Sequence, residues 1–406
     1  MTLLIARQPV FDAREQIFAY DLAVHGDATA SGIPQDVQPE QLLAEVFLET
    51  GIRAIAGGHP VFVTASRDLL VGGTLRALPP DRVILQIPPL EPSDEELIAA
   101  CRDLAAAGYR LAMDVDERTA LGSSLDWVHV IRVDVIASGS AGLPKLAEQL
   151  REYPARRLAT NVHHRGERDR CLSLGFDLFE GYRFSAPEVL SHREIGVAHL
   201  LAFRVLKLLR DPRADDREIE SMIQSDVGLS YKLLRMVNSA AMGGRDLWSI
   251  GHALRLLGRE QVARWLSVLL VSDAGTDGVR AELTHLALVR ARMCEQLAGL
   301  AGVPRAGGSL FLVGMLSVLD QLLEMPMAAL CDTVDIAPDL RSALLHRADF
   351  LGAALRLVES YVDGQWAEVQ TVATTLGVAA AALQPLYLEA LEWATSQQRG
   401  DAWARG

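Results

Sequence analysis

The pattern of hydrophobic and polar positions changes near residue 187 of the chain. Before that point, short apolar runs rich in β-branched residues alternate with segments of helical period, which predicts strands separated by helices. The first two runs, Leu3 to Pro9 and Ile17 to Val24, are joined by the polar turn Asp12 to Glu15 and predict a β-hairpin. The further strand candidates are Val61 to Thr64, Val83 to Ile87, Arg110 to Val115, Val128 to Val135, Arg157 to Val162 and Leu178 to Phe184.

The repeated strand and helix units imply a largely parallel sheet. The segment up to about residue 187 holds about eight predicted strands, and its length is near the lower size limit of a closed (β/α)8-type barrel. A doubly wound sheet is the alternative. Ser93 and Glu96 have the spacing of a capping box, which predicts a helix start. Gly108 is the type of residue that ends such a helix.

The second half of the chain carries only helical signals. Apolar residues such as Ile219, Met222, Ile223 and Val227 recur with a period near 3.6, which predicts an all-helical domain. The change of pattern falls next to Ser191, a residue type that often caps helices. We therefore predict two domains, residues 1–190 and residues 191–406.

The charge balance restricts the partners that the chain can have. It carries 39 Lys and Arg against 52 Asp and Glu over 406 residues, a net charge of -13, and neither half is basic. A field of this sign repels phosphate backbones, so we expect no nucleic-acid partner.

The cysteines and the apolar runs indicate a cytoplasmic protein. Four cysteines lie far apart without a CxxC pair, which is typical neither of a zinc ribbon nor of a disulfide framework. The N-terminal residues lack the pattern of an export signal. The longest apolar run, Leu310 to Leu319, is about half a membrane span, so we expect no membrane insertion.

Polar residues stand at or near the ends of the predicted strands. They are Asp21, Thr64, Gln86, Asp114, Arg132, Asp134, Thr160, His163 and Glu180, and Tyr182 follows in the run Glu180-Gly181-Tyr182. Through these residues and their sequence context, residues 3–187 resemble an EAL domain, the barrel that hydrolyses cyclic di-GMP in many bacteria. The resemblance implies the barrel fold and the location of a site at its mouth.

Most family site positions are changed in this chain. Asp21 stands at the position of the signature glutamate, Thr64 at that of an asparagine ligand and Gln86 at that of a strand glutamate. Asp114 keeps the first carboxylate of a two-aspartate motif, whereas Val115 replaces the second.

The later motifs are changed as well. Arg132 and Asp134 lie in the strand motif that usually contains lysine, and Thr160 and His163 lie in a turn that is usually rich in glutamate. Hydrolysis of this type uses two divalent cations held by several carboxylates. A guanidinium stays protonated, so Arg132 is a poor substitute for a proton-transfer group. We therefore expect a degenerate EAL domain without a metal or another cofactor.

Two interpretations of the mouth residues follow. In the first, Asp21, Asp114 and Asp134 are hydrogen-bonded polar ends of strands. In the second, Asp114, Arg132 and Tyr182 hold the phosphates of a nucleotide, although the charge of Glu180 would oppose a dianionic ligand.

The segment from Ile219 to Gly258 resembles an HDOD domain, a helical relative of the HD phosphohydrolases found in bacterial signalling proteins. The signature residues are Asp226, Leu229, Leu233, Asn238, Ser239 and Gly258. HD enzymes bind metal through adjacent histidine and aspartate residues, and the sequence contains no His-Asp dipeptide. The resemblance implies contacts with signalling proteins.

These observations predict a noncatalytic regulator or adaptor in cyclic di-GMP-related signalling, acting through contacts with an unidentified signalling protein. Two alternatives remain open: a receptor that binds cyclic di-GMP weakly without hydrolysing it, and an active phosphodiesterase.

Overall fold

A computed structural model describes residues 3–26, 52–91, 93–119, 122–181, 197–226, 229–230, 250–272, 278–333 and 336–400. The chain forms two compact units, one built mainly from the described residues up to Gly181 and one mainly from those after 197. The predicted boundary at Ser191 lies outside the described residues.

The first unit is a closed barrel, so the predicted barrel is confirmed and the doubly wound alternative is wrong. Eight described strands follow one another around it in chain order. They are β1 (Leu3–Asp12), β2 (Ile17–Gly26), β3 (Val61–Thr64), β4 (Val83–Ile87), β5 (Arg110–Asp114), β6 (Val130–Asp134), β7 (Arg156–Thr160) and β8 (Leu178–Glu180).

The first strand departs from a regular repeat of strand and helix. β1 is antiparallel to β2 and to β8, whereas the other neighbouring pairs are parallel. A tight turn joins β1 to β2, in which the backbone amides of Arg14 and Gln16 donate to Oδ1 of Asp12 at 2.8 and 2.9 Å. The predicted hairpin is therefore confirmed, and no helix separates the first two strands.

Helices follow the parallel strands of the barrel. The described ones are α1 (Ile52–Ala56), α2 (Arg67–Gly72), α3 (Glu95–Ala106), α4 (Val135–Gln149) and α5 (Arg165–Ser173). Helix α3 begins one residue later than its capping pattern predicted. Asp94, not Ser93, is the N-cap, and its Oδ1 accepts from the amide of Leu97 at 3.2 Å. The same carboxylate pairs with Arg67, and the side chain of Glu96 also bonds Arg67 instead of reaching back to the cap.

Every strand contributes one apolar side chain to a buried layer. Successive residues of a strand point to opposite faces, so this layer fixes the direction of the residues two positions along. The layer consists of Val10, Ala19, Phe62, Ile84, Ala112, Val130, Leu158 and Leu178. A separate, larger core packs the strands against the surrounding helices.

The second unit is helical throughout its described residues, as the sequence predicted. Its helices are α6 (Val197–Arg210), α7 (Asp216–Gln224), α8 (Ile250–Ser272), α9 (Gly278–Leu300), α10 (Gly307–Leu316), α11 (Leu319–Leu323), α12 (Met327–Thr333), α13 (Pro338–His346), α14 (Asp349–Val362), α15 (Trp366–Thr375) and α16 (Leu383–Gly400).

One stretch of this unit, residues 304–323, is long and apolar enough to cross a membrane, and 72% of it is buried inside the fold. A buried core helix passes the same test. The absence of membrane insertion therefore stays a prediction.

Candidate functional site

The candidate site is a polar layer directly above the apolar layer of the barrel. Residues two positions after Ala19, Phe62, Ile84, Ala112, Val130, Leu158 and Leu178 point to the same side of their strands. These residues are Asp21, Thr64, Gln86, Asp114, Arg132, Thr160 and Glu180. Because the parallel strands end together, the barrel places this layer at its carboxyl-terminal mouth.

Arg132 is the centre of the polar layer. Its Nη2 donates to Oδ2 of Asp21 at 2.7 Å and to Oε2 of Glu180 at 3.4 Å, and its Nη1 donates to Oε1 of Gln86 at 2.9 Å. Its Nε lies 3.2 Å from Oδ1 of Asp114. Gln86 in turn donates from Nε2 to Oδ2 of Asp114 at 2.5 Å. One guanidinium therefore contacts side chains from four other strands.

The cluster contains more negative groups than positive ones. Arg132 is 8% exposed and Glu180 is 7% exposed, so water screens their interaction poorly. Burial raises the pKa of Glu180 to about 8, the carboxylate of Asp21 adds to the rise, and Arg132 opposes it. Burial alone would lower the pKa of Arg132, but Asp21, Glu180 and Asp114 outweigh it and hold that pKa above its usual value. We infer a charged Arg132 beside a Glu180 that takes up a proton near neutral pH.

The remaining predicted mouth residues have local roles. Oγ1 of Thr64 lies 3.4 Å from Oε1 of Gln86, and Oγ1 of Thr160 donates to the carbonyl of Val133 at 3.3 Å. Val115 is buried, and its amide donates to the carbonyl of Arg132 at 2.8 Å. The amide of His163 donates to Oε2 of Glu167 at 2.8 Å.

Asp134 lies at the end of β6 and caps the helix that follows. Its Oδ1 accepts from the amides of Ile136 and Ala137, both at 2.9 Å. Its Oδ2 accepts from Nδ2 of Asn161, in the turn after β7, at 2.9 Å. Asp134 thus fits the interpretation of a hydrogen-bonded strand end.

The mouth residues do not fit the pair of cations that the EAL resemblance implies. Asp21, Gln86 and Glu180 already accept hydrogen bonds from Arg132, and Asp114 is paired with it. A cation between them would have to displace the guanidinium or face its charge. Among the residues that the structure describes, no group of three or more His, Cys, Asp or Glu side chains is arranged to hold a metal ion.

The nucleotide-binding role of Asp114, Arg132 and Tyr182 stays a prediction. Tyr182 lies outside the described residues. Arg132 is buried under its carboxylate partners, so a phosphate would have to compete with Asp21 for the same Nη2 atom.

The HDOD signature is described in part. Oδ1 of Asp226 accepts from the amide of Leu229 at 2.8 Å, which is the pattern of a helix cap. Gly258 interrupts α8 with a φ of 80°, a conformation that favours glycine. Leu233, Asn238 and Ser239 lie outside the described residues.

Two arginines have roles that the sequence did not indicate. Arg132 was predicted to be a poor substitute for a proton-transfer group and a possible phosphate ligand, whereas the structure makes it the ion-pair centre of the mouth. Its position between the apolar residues Ile131 and Val133 was the available signal. In the helical unit, Arg259 follows the break at Gly258 and donates to Asp216 and to two backbone carbonyls before α7.

The helical unit carries an HDOD domain. A family model described as the HDOD domain matches residues 197–330, which confirms the predicted resemblance.

Two curated relatives are similar over nearly the whole chain. The protein YuxH of Bacillus subtilis is 27% identical over 408 residues, which cover 97% of this chain and 98% of YuxH. The protein named cyclic di-GMP phosphodiesterase CdgJ, from Vibrio cholerae serotype O1, is 28% identical over 411 residues, which cover 98% of this chain and 94% of CdgJ.

Solved structures of EAL proteins match part of the chain. The Bacillus subtilis YkuI protein, in complex with c-di-GMP and calcium, has a TM-score of 0.38 and 13% identity, covering 55% of this chain and 71% of YkuI. Klebsiella pneumoniae BlrP1 has a TM-score of 0.37 and 17% identity, covering 46% of this chain and 56% of BlrP1. The chain thus combines a closed eight-stranded barrel with an HDOD domain in a helical unit.

Proposed function

We propose that this protein is a noncatalytic regulator in cyclic di-GMP-related signalling that acts through protein contacts. The observation that carries the proposal is the position of Arg132 at the centre of the carboxylates of the barrel mouth. A guanidinium offsets part of their negative charge, but it has no coordination site for water and does not release its proton. The mouth therefore holds a fixed positive charge among its carboxylates but lacks the chemistry of a bound metal ion.

The second part of the proposal concerns the helical unit. The HDOD match supports a role in bacterial signalling by protein contacts, and the name of the relative CdgJ supports the connection with cyclic di-GMP. Two domain types derived from phosphohydrolases would then serve as a scaffold in one chain.

A turnover assay tests the absence of catalysis. The full-length protein is incubated with cyclic di-GMP and either Mg²⁺ or Mn²⁺, and linear pGpG is measured by chromatography. We expect no product above the rate without protein, and the same result for Asp114→Ala. Metal-dependent formation of pGpG that disappears in Asp114→Ala would overturn the proposal in favour of a phosphodiesterase.

A second candidate function is a cyclic di-GMP receptor without turnover. The name of CdgJ favours this ligand, because CdgJ is related to this chain over nearly its whole length. Calorimetric titration of cyclic di-GMP in the presence of Ca²⁺ distinguishes the two functions. If the protein is an adaptor that does not bind the nucleotide, the titration should show no saturable heat of binding. One-site binding that is lost in Arg132→Met would instead support the receptor.

A further inference from the structure

A cavity of about 730 Å³ lies at the end of the barrel opposite to the mouth. It opens where β5, β6 and β7 begin. Its walls come from the end of α3, from the 3-10 helix Ser123–Trp127 and from residues 154–155 before β7. Its volume is in the range of small-molecule sites, and none of the mouth residues lines it.

Part of the wall is apolar and suits a flat ring. Phe18, Trp127 and Val128 line the cavity together with Ala105 and Ala155. The guanidinium of Arg156 lies over the ring of Phe18, 4.6 Å from its centre. A planar ligand could extend this stack with little loss of its own conformational freedom.

The charged part of the wall is positive, against the net charge of the whole chain. Arg102, Arg110 and Arg156 line the cavity, and Asp126 is the one carboxylate among the described lining residues. Nε of Arg156 donates to Asp177 at 2.7 Å, and Nη2 of Arg110 donates to the carbonyl of Asp81 at 3.2 Å.

Among the described residues, the side chain of each of these two arginines donates one hydrogen bond, although a guanidinium has five N–H donors. Burial lowers the pKa of Arg110. The positive form of Arg110 therefore has a cost that an anion in the cavity would offset.

The imidazole of His129 also lines the cavity. Nδ1 of His129 accepts from the amide of Leu111 at 3.4 Å, and burial, with a contribution from Arg110, lowers the pKa of this imidazole. A neutral His129 whose Nδ1 accepts carries its proton on Nε2. Among the described lining residues, the arginines and His129 therefore offer more donors than Asp126, the one carboxylate, has acceptors to match.

We propose that this cavity binds a small organic anion in which a planar ring carries a phosphate or a carboxylate group. The arginines bind the oxygens of the anion, and the apolar wall packs against the ring. This site is independent of the mouth and of any binding of cyclic di-GMP there.

Calorimetric titrations of the full-length protein test the proposal with GMP as the phosphate probe and 1-naphthoate as the carboxylate probe. Guanosine and inorganic phosphate are the comparison compounds, because each carries only one part of the proposed ligand. We expect GMP or 1-naphthoate to bind at least tenfold more tightly than either comparison compound, and the better probe identifies the anionic group. Absence of binding by both probes at millimolar concentration would overturn the proposal, and so would guanosine binding as tightly as GMP.

Two variants locate the binding. Ala106→Phe fills the cavity from an exposed position of α3 and should abolish binding without a change in charge. Arg102→Gln removes an exposed guanidinium for which the structure shows no partner among the described residues and should weaken binding at least tenfold. The matched control is Arg118→Gln, which removes the charge of a side chain that is 92% exposed and outside the cavity. Binding that both cavity variants retain, or that the control loses equally, would show that the probe binds elsewhere.

Discussion

At the residue scale, Arg132 determines the electrostatics of the barrel mouth. Its side chain is buried, lies 5.3 Å from the centre of the Phe62 ring and contacts Asp21, Asp114 and Glu180. Buried ion pairs contribute little net stability compared with apolar packing, but removing one partner leaves an uncompensated charge. Loss of Arg132 should therefore lower the free energy of unfolding more than loss of a single hydrogen bond would.

Substitution of this side chain tests its structural role. We expect Arg132→Met to lower the free energy of unfolding by about 3 kcal/mol, because carboxylates remain in the buried mouth without a cation. Urea denaturation followed by circular dichroism measures the change. Arg118→Met is the matched control, and its effect should stay within about 0.5 kcal/mol because Arg118 is exposed. Equal effects of the two substitutions would contradict the central role of Arg132.

The raised pKa of Glu180 gives the fold a dependence on pH. The folded protein binds the proton of this carboxyl more tightly than the unfolded chain does, so protonation favours the folded state. The contribution is complete below the ordinary pKa of 4.5 and is lost as pH rises towards about 8.

A comparison with Glu180→Gln isolates this contribution. We expect the wild-type free energy of unfolding to fall relative to that of the variant between pH 5 and 8, with a slope of at most about 1.4 kcal/mol per pH unit. Denaturation curves at several pH values measure the difference. Parallel pH profiles of the two proteins would show that Glu180 titrates normally.

At the element scale, Asp134 connects three parts of the barrel. It ends β6, caps α4 and accepts a hydrogen bond from Asn161 in the turn after β7. We expect Asp134→Ala to destabilise the barrel by about 1–2 kcal/mol, because two helix amides and one side-chain amide lose their acceptor.

Asp134→Asn is the matched substitution, since its side-chain oxygen can still accept from the amides of α4. Urea denaturation should show a smaller loss of unfolding free energy for Asp134→Asn than for Asp134→Ala. A loss as large as that of Asp134→Ala would mean that the charge, and not the cap, is what stabilises this junction.

At the scale of the whole molecule, the four cysteines are buried in the two units. Burial raises the pKa of Cys101 to about 12 and that of Cys171 to about 11, and it also raises those of Cys294 and Cys331. Thiols of this kind react slowly, because the thiolate is the reactive form.

We therefore expect the native protein to be almost inert towards an aromatic disulfide reagent at pH 8. After unfolding in guanidinium, its four cysteines should release four equivalents of thiolate from the reagent. Absorbance of the released thiolate measures both values. Rapid reaction of a native thiol would contradict the burial of that residue.

The sequence predicted the architecture better than the connections within the site. The strand positions, the opening hairpin and the change to helices are local patterns, because side-chain direction repeats every two or about 3.6 residues. The same period of two places Asp114 and Arg132 above Ala112 and Val130. Which of these groups bond to one another depends on the closure of the barrel and on burial, so the central position of Arg132 could not be derived from its neighbours in sequence.

The cap at Asp94 was displaced because Arg67, distant in sequence, binds the acidic side chains there.

The closure of the barrel by β1 has a consequence for synthesis on the ribosome. β1 is made before the other strands of the barrel, yet its second partner is β8, and the pair Asp12 and Leu178 is separated by almost the entire barrel sequence. At about 5–20 residues per second, the nascent hairpin of β1 and β2 waits roughly 10–30 s for that partner. One edge of the hairpin stays open to other chains during this interval. We therefore expect a shortage of chaperones to lower the yield of folded protein. Slow translation of the helical half should lower that yield less, because β8 has been made by then.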